Sequence, residues 1–491
     1  MNYELSSAPV AADVNSPDIL GLTADSRAVK PGYLFAALPG IKLDGRRFID
    51  DAVARGAVAI LTDESAGLEA LRARQTPVAV VTDSNPRRRL ALMAARFHAP
   101  QPATIAAVTG TNGKTSVAAF TRQIWQALGT PAASVGTLGI VAPDEVVPGA
   151  MTTPDPVTLH RELAALAKRG IAHVAIEASS HGLDQSRLDG LRITAAAFTN
   201  LTHDHLDYHG TMAAYGDAKL RLFTGLLEAS GTAVLNADSA AYGKFAAACR
   251  QRGLRILSYG ESEGTDLRIR ARQATSQGQN LDLTILGVDH QILLPLAGAF
   301  QASNVMAALG LVIACGATPA DAVATLPNLT GVPGRLQRVA TLANGAAVYV
   351  DYAHTPDALE TVLRALRPHV TGRLVAVFGA GGDRDAKKRP VMGSVVRRLA
   401  DAAIVTDDNP RSENPAAIRA AIRTRCPGAR EIGDRAAAIR TAMQELAAGD
   451  VLVIAGKGHE TGQTIGSVVQ PFDDSAVARR IAAELAEGAA P

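Results

Sequence analysis

Cysteine is scarce in this chain. The three present, Cys249, Cys315 and Cys426, stand far apart and are odd in number. They build neither a disulfide framework nor a zinc site, and they suit a reducing compartment. Long apolar runs are missing as well, with no unbroken stretch near the ~20 residues that a membrane-spanning helix needs. The opening segment MNYELSSAPVAADVNS has neither the basic region nor the apolar core of a secretion signal, so a cytoplasmic location is expected. Charge of one sign is lacking too. Lys and Arg number 49 against 47 Asp and Glu, a formal balance of +2, so there is no electrostatic case for nucleic acid or for an anionic membrane. Any anionic ligand has to be met by local groups.

Apolar residues are plentiful. At 47% hydrophobic and 20% charged, the 491 residues can bury full cores, and the length suggests about three domains. Short strands alternate with helices throughout, which defines an α/β protein. In the first part, Tyr33–Leu38 and Ala57–Thr62 read as strands and Pro86–Phe97 as a helix. His98-Ala-Pro-Gln-Pro102 makes a linker. Further on, His173–Ala178 and Thr194–Thr199 read as buried strands. Leu281–Leu286 and His290–Leu294 flank Gly287-Val288-Asp289 as a hairpin. The Gly/Pro-rich GVPGRLQRV (Gly331–Val339) marks a second junction. The expected division is therefore 1–100, 101–334 and 335–491. In the last part Ala347–Asp351, Leu374–Phe378, Ala403–Thr406 and Val451–Ile454 are apolar strands. Each ends in a polar or glycine-rich loop: DYAHTPDA, GAGGDRDAKKR, DDNPRSENP and AGKGHE. Open α/β sheets bind ligands at the carboxyl ends of their strands, so four such loops define a face. Gly379-Ala-Gly381-Gly382 is not a dinucleotide fingerprint, because Arg384 holds the last glycine position.

The densest signal is Thr104–Leu128. An apolar strand, Thr104–Val108, runs into the turn Thr109–Lys114, and Val117, Phe120, Ile124 and Leu128 then share one helix face. Strand, Gly110-Thr111-Asn112-Gly113-Lys114-Thr115-Ser116 and helix together describe a phosphate cradle. The glycines let backbone N–H groups close on oxyanions, Lys114 adds a point charge, and Thr115 is placed to hold magnesium. A strict Walker A motif would have glycine where Val108 stands. Thr202–Gly210, THDHLDYHG, offers His-x-His with carboxylates. Transition-metal ligation is one reading, and magnesium with Glu177 suits a phosphate cradle better. By pattern alone Lys219 is a solvated helix lysine, while Asp25-Ser26-Arg27 and Gly40–Arg47 are turn chemistry.

Taken together, TGTNGKTS, EASSHGL, TNLTHDHLDYHG, ASNVMAAL, GVPGRLQ, DYAHTPDAL and FGAGGDRDAKKRP resemble the Mur ligases of peptidoglycan synthesis over nearly the whole chain. DNPR (Asp408–Arg411) with GKGHE (Gly456–Glu460) resembles the branch that adds meso-diaminopimelate. Gly-Thr-Asn-Gly-Lys-Thr is that family's own loop, so Val108 is no departure from it. The resemblance implies three parts: an N-terminal UDP-binding α/β domain, a central P-loop ATPase-type domain with a mostly parallel sheet, and a C-terminal Rossmann-like domain. It implies an ADP-forming amide ligase using ATP and Mg2+ on UDP-N-acetylmuramoyl-L-alanyl-D-glutamate and meso-diaminopimelate, acting as a monomer.

By motif, the resemblance assigns Gly110–Ser116, Asn304, Arg335, Asp351 and His354 to ATP. Lys114, Glu177, His205 and Lys219 are catalytic, and Thr115, Glu177, His205 and Lys219 (as a carbamate) bind metal, which reverses the pattern reading of Lys219. Ser26, Lys42 in the Gly40–Gly45 loop, Thr152, Thr153, Ser179, Gln185 and Arg187 meet the UDP-substrate. Met151 stands where some relatives are expected to have asparagine. Arg384, Asp408, Asn409, Pro410, Arg411, Gly456 and Glu460 form the amino-acid pocket, with Arg411 pairing the extra carboxylate that distinguishes diaminopimelate from lysine. Domain closure on binding is also expected, to shield a phosphorylated intermediate from water. The competing readings are a lysine-adding ligase, a folylpolyglutamate synthase and a nucleotide-driven switch. DNPR and the uridine-type N-terminal domain oppose the first two. The four polar loops of the last domain oppose the third.

Overall fold

The computed structural model describes residues 18–40, 44–63 and 78–487. Apolar runs that must be covered on both faces form parallel sheets sandwiched by helices. Near the N-terminus, Gly21–Thr23, Tyr33–Ala36, Ala59–Thr62 and Ala79–Thr82 pair in chain order, all parallel. The expected helix Pro86–Phe97 is present, its start fixed by the Asn85 side chain, which accepts from Arg88 N at 3.0 Å. Leu90 and Ala94 of that helix pack on Leu22, Leu34 and Leu61 of the sheet.

The central sheet is the largest. Its spatial order is Val288–Leu294, Gly278–Ile285, Leu267–Thr275, Arg255–Gly260, Leu227–Asn236, Ile193–Phe198, Thr104–Thr109, His173–Glu177, Ala132–Gly136, Gly139–Ala142 and Glu145–Val147. Pairing is parallel from Leu267–Thr275 to Ala132–Gly136 and antiparallel at both margins. Period-two alternation splits the middle strand between two cores. Ala106 and Val108 face the helices Lys114–Ala127 and Ala299–Ala314, while Ile105 and Ala107 face Pro156–Lys168 and Tyr242–Gln251. The expected hairpin exists, but its turn is Leu286-Gly287, because Val288 and Asp289 already pair with Ile285 and Thr284. Leu286 and Gly287 have φ of 48° and 85°, the left-handed pair that a tight hairpin turn requires.

The last sheet runs Gln337–Thr341, Ala347–Asp351, Val451–Ala455, Leu374–Phe378, Ala402–Val405 and Arg430–Glu431, parallel except for the first pair. Its four apolar strands match the sequence expectation to within a residue at either end. Their parallel pairing puts the loops after Asp351, Phe378, Val405 and Ala455 at one edge. A small antiparallel hairpin, Gly462–Ile465 with Val468–Pro471, follows the last of these loops. No helix among the described residues is long and apolar enough to cross a membrane.

Candidate active site

The strand Thr104–Thr109 lies between His173–Glu177 and Ile193–Phe198. The loops leaving all three therefore converge at the carboxyl edge of the sheet. Gly113 has φ of 91°, and no side chain caps the helix Lys114–Ala127. The first N–H groups of that helix are left for an anion. A Cβ on Gly113 would run into Asn304 Oδ1, so the loop and the helix Ala299–Ala314 fit closely only with glycine there. The loop is braced from the Phe198 side. Thr111 N donates to Asn200 O, and Asn112 N to Asn200 Oδ1, both at 2.9 Å. Thr199 Oγ1 donates to Asn112 O at 2.6 Å. Ser116, in the helix's first turn, is buried.

Lys114 Nζ folds back onto Gly110 O and Thr111 O, each at 2.8 Å. Thr115 Oγ1 donates to Glu177 Oε2 at 3.0 Å. Thr137 N donates to Glu177 Oε1 at 2.7 Å, and Thr137 Oγ1 to Oε2 at 3.2 Å. Gly136 leaves room for this carboxylate, since a Cβ there would overlap Glu177 Oε1. Burial pushes the Glu177 carboxyl up and the Lys114 ammonium down, and each shift is opposed by attraction to the other group. A buried carboxylate beside a hydroxyl, both at the cradle, is a hard-oxygen donor set that fits a magnesium ion.

Lys219 is not the solvated lysine its helix pattern suggests, being only 1% exposed. Tyr215 and Lys219 sit one turn apart on the helix Met212–Arg221, and that face packs onto the phosphate loop. Lys219 Nζ lies 4.2 Å from the Tyr215 ring centroid and donates to Gly110 O at 2.8 Å. Burial, then the charge of Lys114, pushes its pKa down to about 6. His205 has φ of 52° and a side chain 47% exposed, its ring edge-on to His181 with centroids 4.8 Å apart. Among the described residues no three His, Cys, Asp or Glu side chains gather to hold a metal.

From the far domain, Arg335 lies close enough to the cradle for its charge to act on both Lys114 and Glu177. Its Nε is buried without an acceptor among the described residues, and its guanidinium lies 5.2 Å from the Tyr352 ring centroid. Gln301 Nε2 donates to Arg335 O, and Asn304 Nδ2 to Gln301 Oε1, both at 3.0 Å, so the two domains are joined at this point. Asp351 accepts from Leu336 N at 2.6 Å and from Ala353 N at 2.8 Å, and burial pushes its pKa up to about 6. His354 Nδ1 lies 2.8 Å from Tyr352 O on an exposed loop.

Thr153 Oγ1 donates to Glu177 O at 2.7 Å and accepts from Ser179 N at 3.0 Å, while Thr152 Oγ1 lies 3.1 Å from Thr137 Oγ1. Arg187 is held by Gln185 Oε1 at 2.7 Å and Thr153 O at 2.7 Å, and it also reaches Met151 Sδ at 3.2 Å. Met151, Gln185 and Arg187 line a cleft against Ala24, Leu38 and Arg87 of the first domain. Ser26 is buried in a single turn capped by Asp25, which is the turn chemistry its sequence suggests. Lys42 lies outside the described residues.

At the edge of the last sheet, Arg411 has φ of 50° and donates from Nη1 to Gly382 O at 2.8 Å. Asn409 Nδ2 donates to Glu460 Oε2 at 2.9 Å, and Pro410 is buried. Asp408 Oδ2 is buried with no partner among the described residues. Gly456, with φ of 122°, leaves space that a Cβ would take from that oxygen. Arg384 is exposed on the neighbouring loop. Sequence reasoning missed Thr137, Arg87 and Lys457. Of these only Lys457 carried a signal: a lysine between two glycines directly after a buried strand.

Residues 18–98 match the catalytic domain of the Mur ligase family, 108–312 the Mur ligase middle domain, and 334–458 the Mur ligase glutamate ligase domain. The chain belongs to the Mur ligase family. Within it, the chain is 57% identical over 479 residues to UDP-N-acetylmuramoyl-L-alanyl-D-glutamate–2,6-diaminopimelate ligase of Caulobacter vibrioides, covering 96% of each chain. The protein of the same name from Bradyrhizobium diazoefficiens is 53% identical, with 98% of each covered. A solved structure under that name is 35% identical with a TM-score of 0.73, covering 95% of each chain.

Proposed function

We propose that this chain joins meso-diaminopimelate to the D-glutamate γ-carboxylate of UDP-N-acetylmuramoyl-L-alanyl-D-glutamate, with conversion of ATP to ADP and phosphate, in the cytoplasmic assembly of peptidoglycan precursors. One observation carries the reading. The pocket at the last sheet offers an anchored guanidinium, Arg411, together with Asp408 Oδ2 and Glu460 Oε1, which take no donor among the described residues. That charge pattern complements an amino acid with a second carboxylate and a second ammonium group. The names of the most similar relatives support it.

A carboxylate is a poor electrophile. The γ-carboxylate oxygen attacks the terminal phosphorus of ATP, the bond to the β-phosphate oxygen breaks, and ADP leaves. The amine nitrogen then attacks the acyl carbon and loses a proton. The tetrahedral species collapses with departure of phosphate, leaving an amide. The chain's contribution is mainly to position partners and balance charge. The open helix N-terminus and Lys114 hold the phosphates, and Arg335 adds charge from the neighbouring domain. Asn304, Asp351 and His354 hold the nucleotide. Ser26, Thr152, Thr153, Ser179, Gln185 and Arg187 orient the UDP-substrate, and Arg384 closes the amine pocket. Thr115, Glu177, His205 and a carbamylated Lys219 would hold magnesium. Bound there, magnesium supplies charge against the developing negative charge of phosphoryl transfer. Burial against Tyr215 favours the neutral Lys219 amine, the form that adds to CO2 to give a carbamate.

The test is ADP release by the purified chain with ATP, magnesium, UDP-N-acetylmuramoyl-dipeptide and each candidate amine in turn. Release that requires both the dipeptide and diaminopimelate, with an amide product, is expected. Hydrolysis indifferent to either substrate would refute the proposal.

A further inference from the structure

Lys457 is fully buried, its side chain 0% exposed, and is the middle residue of Gly456-Lys457-Gly458. An ammonium has three hydrogens to donate. The Lys457 Nζ has three acceptors in reach: Asn409 Oδ1 at 3.2 Å, Glu460 Oε2 at 3.2 Å and Gly462 O at 2.5 Å. Nothing remains for a ligand. The same triangle is closed from other sides. Asn409 Nδ2 donates to Glu460 Oε2, and Thr464 N donates to Asn409 Oδ1, both at 2.9 Å. Oε2 of Glu460 thus takes two protein donors, while Oε1 takes none among the described residues. Through Thr464 the lattice reaches Arg411, whose N donates to Thr464 O at 3.0 Å and whose O accepts from Gly466 N at 2.8 Å.

We infer that Lys457 is a positioning residue for amine selection, and this rests on the function proposed above. Its ammonium pins one oxygen of Glu460, which aims the other at the distal ammonium of the incoming amino acid, and it ties the Asp408–Arg411 loop to the hairpin after Gly462.

The experiment measures KM and kcat of wild type, Lys457→Met, Glu460→Gln and the double variant. Each is assayed against diaminopimelate, ATP and UDP-N-acetylmuramoyl-dipeptide. Truncating one partner of a buried, hydrogen-bonded charge pair predicts a rise in the diaminopimelate KM of roughly thirtyfold or more. The KM values for ATP and the UDP-substrate should stay within about twofold, the ordinary spread for distant sites. In the Glu460→Gln background, Lys457→Met should add little. An unchanged diaminopimelate KM, equal losses for all three substrates, or full additivity with Glu460→Gln would each overturn the role. Lys457→Gln replaces Lys457→Met if the latter gives no folded protein. Failure of both to fold while Glu460→Gln folds would make Lys457 a folding residue and also overturn it. Wild type inactive with diaminopimelate would instead refute the proposed function.

Discussion

Buried charge governs this site residue by residue. Asp351 is held by two backbone N–H groups, yet burial outweighs them and raises its pKa to about 6 from the ordinary 3.8. The sign follows from proton linkage. Between those two values the folded chain binds the proton and the unfolded chain does not, so Asp351 stabilises the fold as pH falls through that window. Unfolding of wild type and Asp351→Asn, followed between about pH 7 and pH 4, should show the difference moving in favour of wild type toward acid. A difference independent of pH would contradict the assignment. Lys114, Thr115 and the loop glycines were legible because their chemistry is local: strand, turn and helix start are contiguous. Lys219 was legible only by family resemblance, since its pattern says solvent and only packing against Gly110 buries it. Thr137 was invisible, because its role depends on a strand pairing that brings it to Glu177.

At the scale of elements, the proposed amine pocket hangs on two helices buckled together. Arg435, heading the helix Arg435–Gln444, donates from Nε and Nη2 to the two oxygens of Asp474 at 2.7 Å each, with both side chains wholly buried. The same guanidinium donates to Ala455 O at 3.0 Å and Asp407 O at 3.3 Å, the residues just before Gly456 and Asp408. Asp474→Ala leaves that cation uncompensated and should lower stability by roughly 3–5 kcal/mol. Paired replacement by Arg435→Met and Asp474→Leu should cost less. Denaturant titration of the two proteins checks this; equal losses would mean the pair matters only for its packing. The apolar strands of the last sheet were readable because burial on both faces leaves no polar position. Leu227–Asn236 was not, since LEASG opens it with polar and small residues, of which only Leu227 pairs with the neighbouring parallel strand before the register shifts to Thr232.

Over the whole molecule, three sheets turn their carboxyl edges toward shared clefts. The first and second meet at Arg187 and Arg87. The second and third meet where Gln301 holds Arg335 O and where His369 Nε2 accepts from Gly298 N at 3.0 Å. The motif order along the chain indicated this sharing, but the specific contacts between sheets were not readable, because they join residues far apart in sequence. Under the proposed function, the arrangement would set one substrate at each junction: the UDP-bearing carboxylate in the first, the nucleotide in the second, the amine beyond it.

The central claim is that Arg411 selects an amine bearing a second carboxylate. Its most direct test offers meso-diaminopimelate and L-lysine together, at equal concentration, with ATP and UDP-N-acetylmuramoyl-dipeptide, and reads the product by mass spectrometry. Wild type should yield the diaminopimelate adduct. Arg411→Ala should lose it, with a rise in the diaminopimelate barrier of roughly 2–5 kcal/mol, while keeping its affinity for ATP. A lysine adduct from wild type, or unchanged KM and kcat for diaminopimelate in Arg411→Ala, would contradict the account.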